Sequence, residues 1–286
     1  MIISVSRRTD IPAFYGEWFA NRLREKFALV RNPFNPKQLS RIDLSPEAID
    51  GMVFWSKNPW PMRRLFEQLA ADGMPFYLEY TLNAYESPLE PELPPLTQRV
   101  AAFAGLAAAV GRERLIWRYD PIAFSATYTP EYHQANFRML AAKLSSCTGK
   151  CIVSFLDFYR KTKRNCAPYG LFDPEDKVKL DLAYRLGEIG SEVGLTLEAC
   201  AEPLDLAAAG IGRAGCIDAG LLGRLGGGVL NVGRDRRQRP ACGCAASVDI
   251  GGYDSCPHGC RYCYANSSPA LACRNFQLHD PAAPSL

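Results

Sequence analysis

The chain has 286 residues, 48% of them apolar, with 33 Lys+Arg against 30 Asp+Glu and a formal net charge of +3. A chain of this length buries roughly 70–75% of its unfolded surface, so the core needs no disulfide staples. The small charge excess argues against a broad nucleic-acid-coating surface while leaving room for a local basic groove.

The opening MIISVSRRTD holds too short an apolar run for a signal peptide. The longest small-apolar stretch, residues 101–110, is about half the ~20 residues of a membrane span. The expectation is a soluble cytoplasmic protein without a membrane partner. In that reducing compartment clustered cysteines serve metals more often than disulfides. Of the 11 cysteines, 8 fall at or after position 200.

Six apolar, β-branched or aromatic runs recur at βα spacing, at residues 2–6, 52–56, 76–82, 115–119, 151–156 and 195–200. Between them lie helical patterns at 13–27, 61–72, 96–111, 130–144 and 174–190. Thr129-Pro130 and Asp173-Pro174 look like helix starts, and Asp10 before Ile11-Pro12 and Asn58 before Pro59 look like helix caps. The longer first interval, 27–44, contains Asn32-Pro33 and Asn35-Pro36 turns and reads as an inserted hairpin. The fold class expected is α/β, a partial (β/α)6 TIM-like barrel over 1–205 with a cysteine-rich segment, 206–286, packed on its mouth. Periodicity alone also fits an open doubly wound sheet.

Function in either fold sits at the C-terminal strand ends. Those ends carry Arg7, Arg8, Thr9 and Asp10, then Ser56, Lys57 and Asn58, then Thr81 and Asn83. They continue with Arg118 and Asp120, Asp157 and Tyr159, and Glu198, Cys200 and Glu202. One polar residue leaving a strand usually caps a helix or meets water; six strands ending alike point to an active-site mouth.

The sharpest local signal is CPHGCRYCYAN, where Cys256, Cys260 and Cys263 follow C-x3-C-x2-C. Three thiolates on one short loop can hold three irons of a [4Fe-4S] cube and leave the fourth iron open. Tetrahedral zinc sites instead use paired cysteines separated by a longer loop. Gly259 would allow a tight turn, and His258 reads as a loop residue.

This loop resembles the radical S-adenosylmethionine superfamily, with Tyr262 as the aromatic before the last cysteine, and its wording is similar to the spore photoproduct lyase branch. The resemblance implies that Cys256, Cys260 and Cys263 bind the cluster, that S-adenosylmethionine chelates the open iron, and that Tyr262 packs near the adenine. The reduced cluster would then release a 5′-deoxyadenosyl radical. In most of that superfamily the motif follows the first barrel strand, whereas here only 23 residues follow Cys263 and the βα units lie upstream. The whole-chain pattern of SRRTDIP, FWSKNP, YTLN, WRYDPI, CGC and DIGGYDSCPHGCRYCYAN resembles the bacterial family named domain of unknown function 1848, which supplies no substrate.

A second set, Cys200, Cys216, Cys242 and Cys244, has the number of thiols for another [4Fe-4S] cluster or an all-thiolate zinc site. Cys147, Cys151, Cys166 and Cys273 stand apart, Cys151 as a small buried hydrophobe. The glycine-rich stretch 220–233 lacks nucleotide-loop spacing and reads as a flexible connector. The basic run 234–240 reads as a solvated turn or an anchor for phosphate or carboxylate.

These readings add up to a radical S-adenosylmethionine enzyme whose cluster faces Arg7, Arg8, Lys57, Asn83, Arg118 and Asp120, the candidate catalytic residues. Asp157 and Glu198 are candidates for the ribose or amino group of S-adenosylmethionine. The reductant would be a ferredoxin or flavodoxin, and the substrate is not written in the residues. Two rivals remain: an iron-sulfur electron-transfer or redox-sensing protein, and a zinc-stabilised nucleic-acid-binding or repair protein, against which the mild net charge counts.

Overall fold

The computed structural model describes residues 1–33, 35–85 and 87–286. All six expected strands form. β1 (Ile2–Val5) leads into α1 (Ile11–Phe14), α2 (Gly16–Glu25) and the antiparallel pair β2 (Phe27–Asn32) and β3 (Asn35–Asp43). This pair is the expected hairpin; Phe34 lies outside the described residues. Next come β4 (Gly51–Ser56), α3 (Arg63–Ala71), β5 (Phe76–Thr81), α4 (Leu96–Val110), β6 (Leu115–Ile122) and α5 (Pro130–Leu144). The chain continues through β7 (Lys150–Phe155), α6 (Arg160–Cys166), α7 (Asp176–Glu192), β8 (Thr196–Ala199) and β9 (Gly212–Arg213). It ends with α8 (Ala219–Leu225), β10 (Val248–Asp249) and α9 (Pro269–Gln277).

Caps set the helix starts. Asp10 caps α1 by accepting from Ala13 N at 3.0 Å, and Thr129 caps α5 by accepting from Tyr132 N at 3.2 Å. Two expected caps fail for local reasons. The short turn after Asn58 has no side-chain cap, because its cap position falls on Pro59, whose side chain cannot accept a hydrogen bond. Asp173 instead pairs with Lys179 at 2.6 Å, and α7 begins only at Asp176.

Eight strands form one parallel sheet in the order β10-β1-β4-β5-β6-β7-β8-β9. The order from β1 to β9 follows the chain without reversal, so the sheet lacks the switch point of a doubly wound fold. The edge strands β10 and β9 do not pair with each other, and no barrel closure occurs among the described residues.

The two-residue side-chain period of each strand assigns its residues to two layers. On one face Val5, Phe54, Leu78, Trp117, Val153 and Leu197 pack with Phe19, Phe66, Phe103, Phe137 and Leu186 of the helices. On the other, Ile2, Val53, Tyr77, Ile116 and Ile152 pack with Ile217, Leu221 and Leu222. The stretch after residue 205 thus supplies the second layer and both edge strands. The expected flexible connector begins as α8, a correction carried by Leu222, which is fully buried and stabilises by about 1.5–3 kcal/mol. No helix among the described residues is long and apolar enough to cross a membrane.

Candidate functional site

Two groups of thiols lie over the polar strand ends. The first hangs from β10, which pairs parallel with β1 through Ile3 opposite Val248 and Ser4 opposite Asp249. The Asp249 carboxylate accepts from Ser4 Oγ at 2.7 Å, Ser6 Oγ at 2.6 Å, Arg7 N at 2.9 Å and Gly251 N at 3.0 Å. A Cβ on Gly251 would lie 2.0 Å from Ser6 Oγ, so only glycine admits this approach.

The loop bearing Cys256, Cys260 and Cys263 follows, and Gly259 turns it with φ +68°. Tyr15 Oη donates to Ser255 O at 2.6 Å, Asn266 Nδ2 to Cys256 O at 2.7 Å, and Arg261 N to Leu89 O at 3.0 Å. The buried Asp10 accepts from His258 Nε2 at 2.8 Å, Ser56 Oγ at 2.7 Å and Lys57 N at 2.8 Å. Burial alone would raise its carboxyl, but these bonds hold it below the usual carboxylate range. Asp10 is therefore both a helix cap and the anchor of the loop.

Lys57 Nζ donates to Glu90 Oε1 at 2.7 Å and to Tyr262 Oη at 2.9 Å, and Tyr262 donates to the same carboxylate. Burial would lower the lysine, yet Glu90 outweighs it and keeps the ammonium charged. The Tyr262 ring is buried in an aromatic bed, 6.1 Å from Tyr85. Burial pushes Cys256 up to about 12 and raises Cys260 and Cys263, with Lys57 opposing the rise at the last two.

The second group is a chain of four sulfurs drawn from three loops. Cys216 Sγ lies 3.0 Å from Cys200 Sγ, Cys244 Sγ accepts from Ile217 N at 3.4 Å, and Cys244 interacts electrostatically with both Cys216 and Cys242. Arg118, in the middle of the sheet, donates through Nη1 to Cys216 Sγ and to Glu79 Oε2, both at 3.0 Å, and through Nε to Asp120 Oδ2 at 3.0 Å. The neighbouring Cys200 and Cys244 sulfurs, helped by Arg118, hold Cys216 well below the usual thiol range. The adjacent Cys244 brings Cys242 to about 6. Burial pushes Glu79 up to about 8 against the pull of Arg118.

The remaining candidates divide by what they touch. Arg7 lies over the Trp55 ring at 5.2 Å and its charge reaches Cys244 and Cys216, which associates it with the second group. The Asn83 amide is spent on the Asp120 backbone, accepting from its N and donating to its O at 2.9 Å each. Asp157 pairs with Arg239 of the basic run, while Arg234 Nε donates to Cys242 O at 2.8 Å, so that run braces the Cys242 turn. Arg8 lines a cavity of about 320 Å³ with Tyr15 and Gly252. Glu198, paired with Lys150 at 2.6 Å, lines a different one of about 340 Å³ with Arg213 and Arg234. Neither cavity is lined by a cysteine of the three-cysteine loop.

Sequence reasoning missed Glu79, Glu90 and Asp249, and took His258 for a passive loop residue. Glu79 carries a signal, an acid at the centre of the apolar run FYLEYT, matched by Arg118 in LIWRY on the next strand. Among the described residues no three His, Cys, Asp or Glu side chains converge to hold one metal ion. Thiolates that each bind a different iron of a cube need not converge on a point, and thiols are the donors such a cube takes.

A family model described as Domain of unknown function (DUF1848) matches residues 2–265. The chain belongs to the DUF1848 family. The matched span runs from β1 through the three-cysteine loop, so both thiol groups are part of the DUF1848 region, whereas α9 and Cys273 lie beyond it. No curated protein and no solved structure matches the chain.

Proposed function

We propose that this DUF1848 member is a radical S-adenosylmethionine enzyme on a circularly permuted partial (β/α)6 barrel. The observation that carries the reading is the place of β10. In the resembled superfamily the cluster loop follows the first barrel strand. Here it follows the last strand in sequence, yet β10 lies beside β1 at the sheet edge, so the spatial order is loop-bearing strand, then β1, β4, β5, β6, β7 and β8. The helices on one face and the unreversed order are those of a barrel left open.

Cys256, Cys260 and Cys263 would hold the [4Fe-4S] cluster. When bound with S-adenosylmethionine at its open iron, it supplies reductive cleavage of the sulfonium to methionine and a 5′-deoxyadenosyl radical. Asp10 and His258 fix the loop on the ends of β1 and β4, and Lys57 and Glu90 hold Tyr262 in the aromatic bed. Cys200, Cys216, Cys242 and Cys244 would hold a second [4Fe-4S] cluster. Four thiolates make such a centre anionic, and the buried Arg118 and half-buried Arg7 are the cations set against that charge.

Anaerobic reconstitution with iron and sulfide, followed by dithionite and S-adenosylmethionine, tests the reading through release of 5′-deoxyadenosine and methionine. An iron-loaded protein that releases neither would sink it and favour electron transfer or redox sensing, which the four-sulfur chain beside Arg118 also suits. A colourless protein with zinc and no iron would point to the zinc-stabilised alternative.

A further inference from the structure

We infer that α6 and the adjoining three-cysteine loop form the docking face for an acidic one-electron donor protein. The inference rests on the reading above that the loop carries a reducible cluster, and adds where its electron enters.

α6 reads RKTKRNC, with Arg160, Lys161, Lys163 and Arg164 on one arc and Thr162 and Cys166 buried on the other. Four cations thus crowd a helix about 10 Å long. Arg160, Lys163 and Arg164 are exposed and Lys161 is half-buried. The acids flanking α6 in sequence are engaged elsewhere, Asp157 by Arg239 and Asp173 by Lys179. None of the four cations forms an ion pair among the described residues.

This patch is attached to the loop rather than merely near it. Cys166 Sγ donates to Arg261 O at 4.0 Å, and Arg164 Nη2 donates to Ser267 O at 3.4 Å. The Arg261 guanidinium lies over the Tyr169 ring at 5.5 Å, adding a fifth cation at the seam. The charge of Lys161 reaches the Cys263 thiol. An acidic surface brought onto α6 would therefore sit beside the half-buried Cys263.

A nucleic acid fits these observations less well. With phosphates spaced about 3.4 Å along a strand, a 10 Å patch meets only about three of them, and the chain as a whole carries only +3. A compact cationic patch beside a redox site suits steering of a compact anionic protein, which raises association rates about 10- to 1,000-fold. In the transfer, the donor's reduced flavin or iron-sulfur centre loses one electron and the centre on the loop gains it. No bond is made or broken and no proton moves.

The test follows cluster reduction by stopped flow in the reconstituted wild type and in an Arg160→Glu, Lys163→Glu variant. The donors are a reduced acidic flavodoxin and, as control, photoreduced neutral deazaflavin. Expected are a flavodoxin rate that falls with salt in the wild type and drops about 10- to 1,000-fold in the variant, with the deazaflavin rate unchanged. Should that variant lose iron or fold, the milder Arg160→Gln, Lys163→Gln variant is expected to show a smaller drop in the same direction. Equal flavodoxin rates in variant and wild type, or a salt-independent wild-type rate, would overturn the docking face. So would unchanged flavodoxin rates combined with loss of single-stranded oligonucleotide binding, an outcome that favours nucleic acid. A wild-type protein that takes up no iron removes the cluster reading itself and this inference with it, an outcome distinct from the preceding ones.

Discussion

The three-cysteine loop takes its thiols from residues 256–263, whereas the four-sulfur chain gathers Cys200, Cys216, Cys242 and Cys244 from across the end of the sheet. The loop carries its own turn at Gly259 and needs the sheet only as a mount, through Asp10, Leu89 and Tyr15. The second group exists only after β8, β9 and α8 have brought its members together around Arg118. Local sequence can gather a set of thiols, or tertiary packing can, and this chain uses both.

Substitution in each group is the largest perturbation that separates them. Cys260→Ala is expected to abolish 5′-deoxyadenosine formation and remove one centre's share of metal. The Cys242→Ala, Cys244→Ala pair should remove the other share, and the two losses should add in metal analysis as independent sites do. If either change strips all metal, the two groups form one centre, and the comparison collapses.

The mounts differ as well. Lys57→Met removes the closer of the two cations that face the buried Glu90, leaving Arg99 at 3.6 Å beside the Tyr262 hydroxyl. It should cost about 3–5 kcal/mol, as breaking a buried pair does, read as a lowered denaturant midpoint and a loosened loop. A midpoint like the wild type's would show that Lys57 does not hold the loop.

Beneath the loop, His133 supports the aromatic bed: it accepts from Tyr119 Oη at Nδ1 and donates from Nε2 to Ala123 O, both at 2.9 Å. Burial lowers its pKa to about 4. The unfolded chain binds this proton below about pH 6.5 while the folded one does not, so stability falls as pH drops from 6.5 towards 4, by roughly 3 kcal/mol. Melting curves of the wild type and His133→Gln across that window should differ in slope; parallel curves would remove His133 from the account.

The smallest effect is expected at the rim of the second group. Arg239→Gln breaks an exposed pair with Asp157 and should cost no more than about 1 kcal/mol, visible, if at all, as a small shift in melting temperature. A larger loss would mean that the pair braces the Cys242 turn.

The six long strands were legible because each alternates between two apolar layers, a pattern that survives in the sequence. β9 and β10 were not, since two residues show no period, and the place of β10 decides the spatial order of the sheet. α8 was misread because glycine was taken as a sign of looseness. A Cβ on Gly223 would lie 2.8 Å from Gly228 O, so that glycine permits close packing instead. The three-cysteine spacing was plain, while the second set was legible only as a count until Cys216 and Cys200 came within 3.0 Å. The cap at Asp10 was read correctly, but its bond to His258, 248 positions away, leaves no local trace.

The position of β10 beside β1 also sets a schedule. Synthesis runs from the N-terminus and folding begins during it, so the face covered by helices can assemble before the ribosome has made residues 214–263. Until those residues arrive, Ile2, Val53, Tyr77, Ile116 and Ile152 lack Ile217, Leu221 and Leu222 on the second face. The same stretch that shields them delivers every thiol of both groups except Cys200, so in the newborn protein burial of that face and assembly of both thiol groups come as one event.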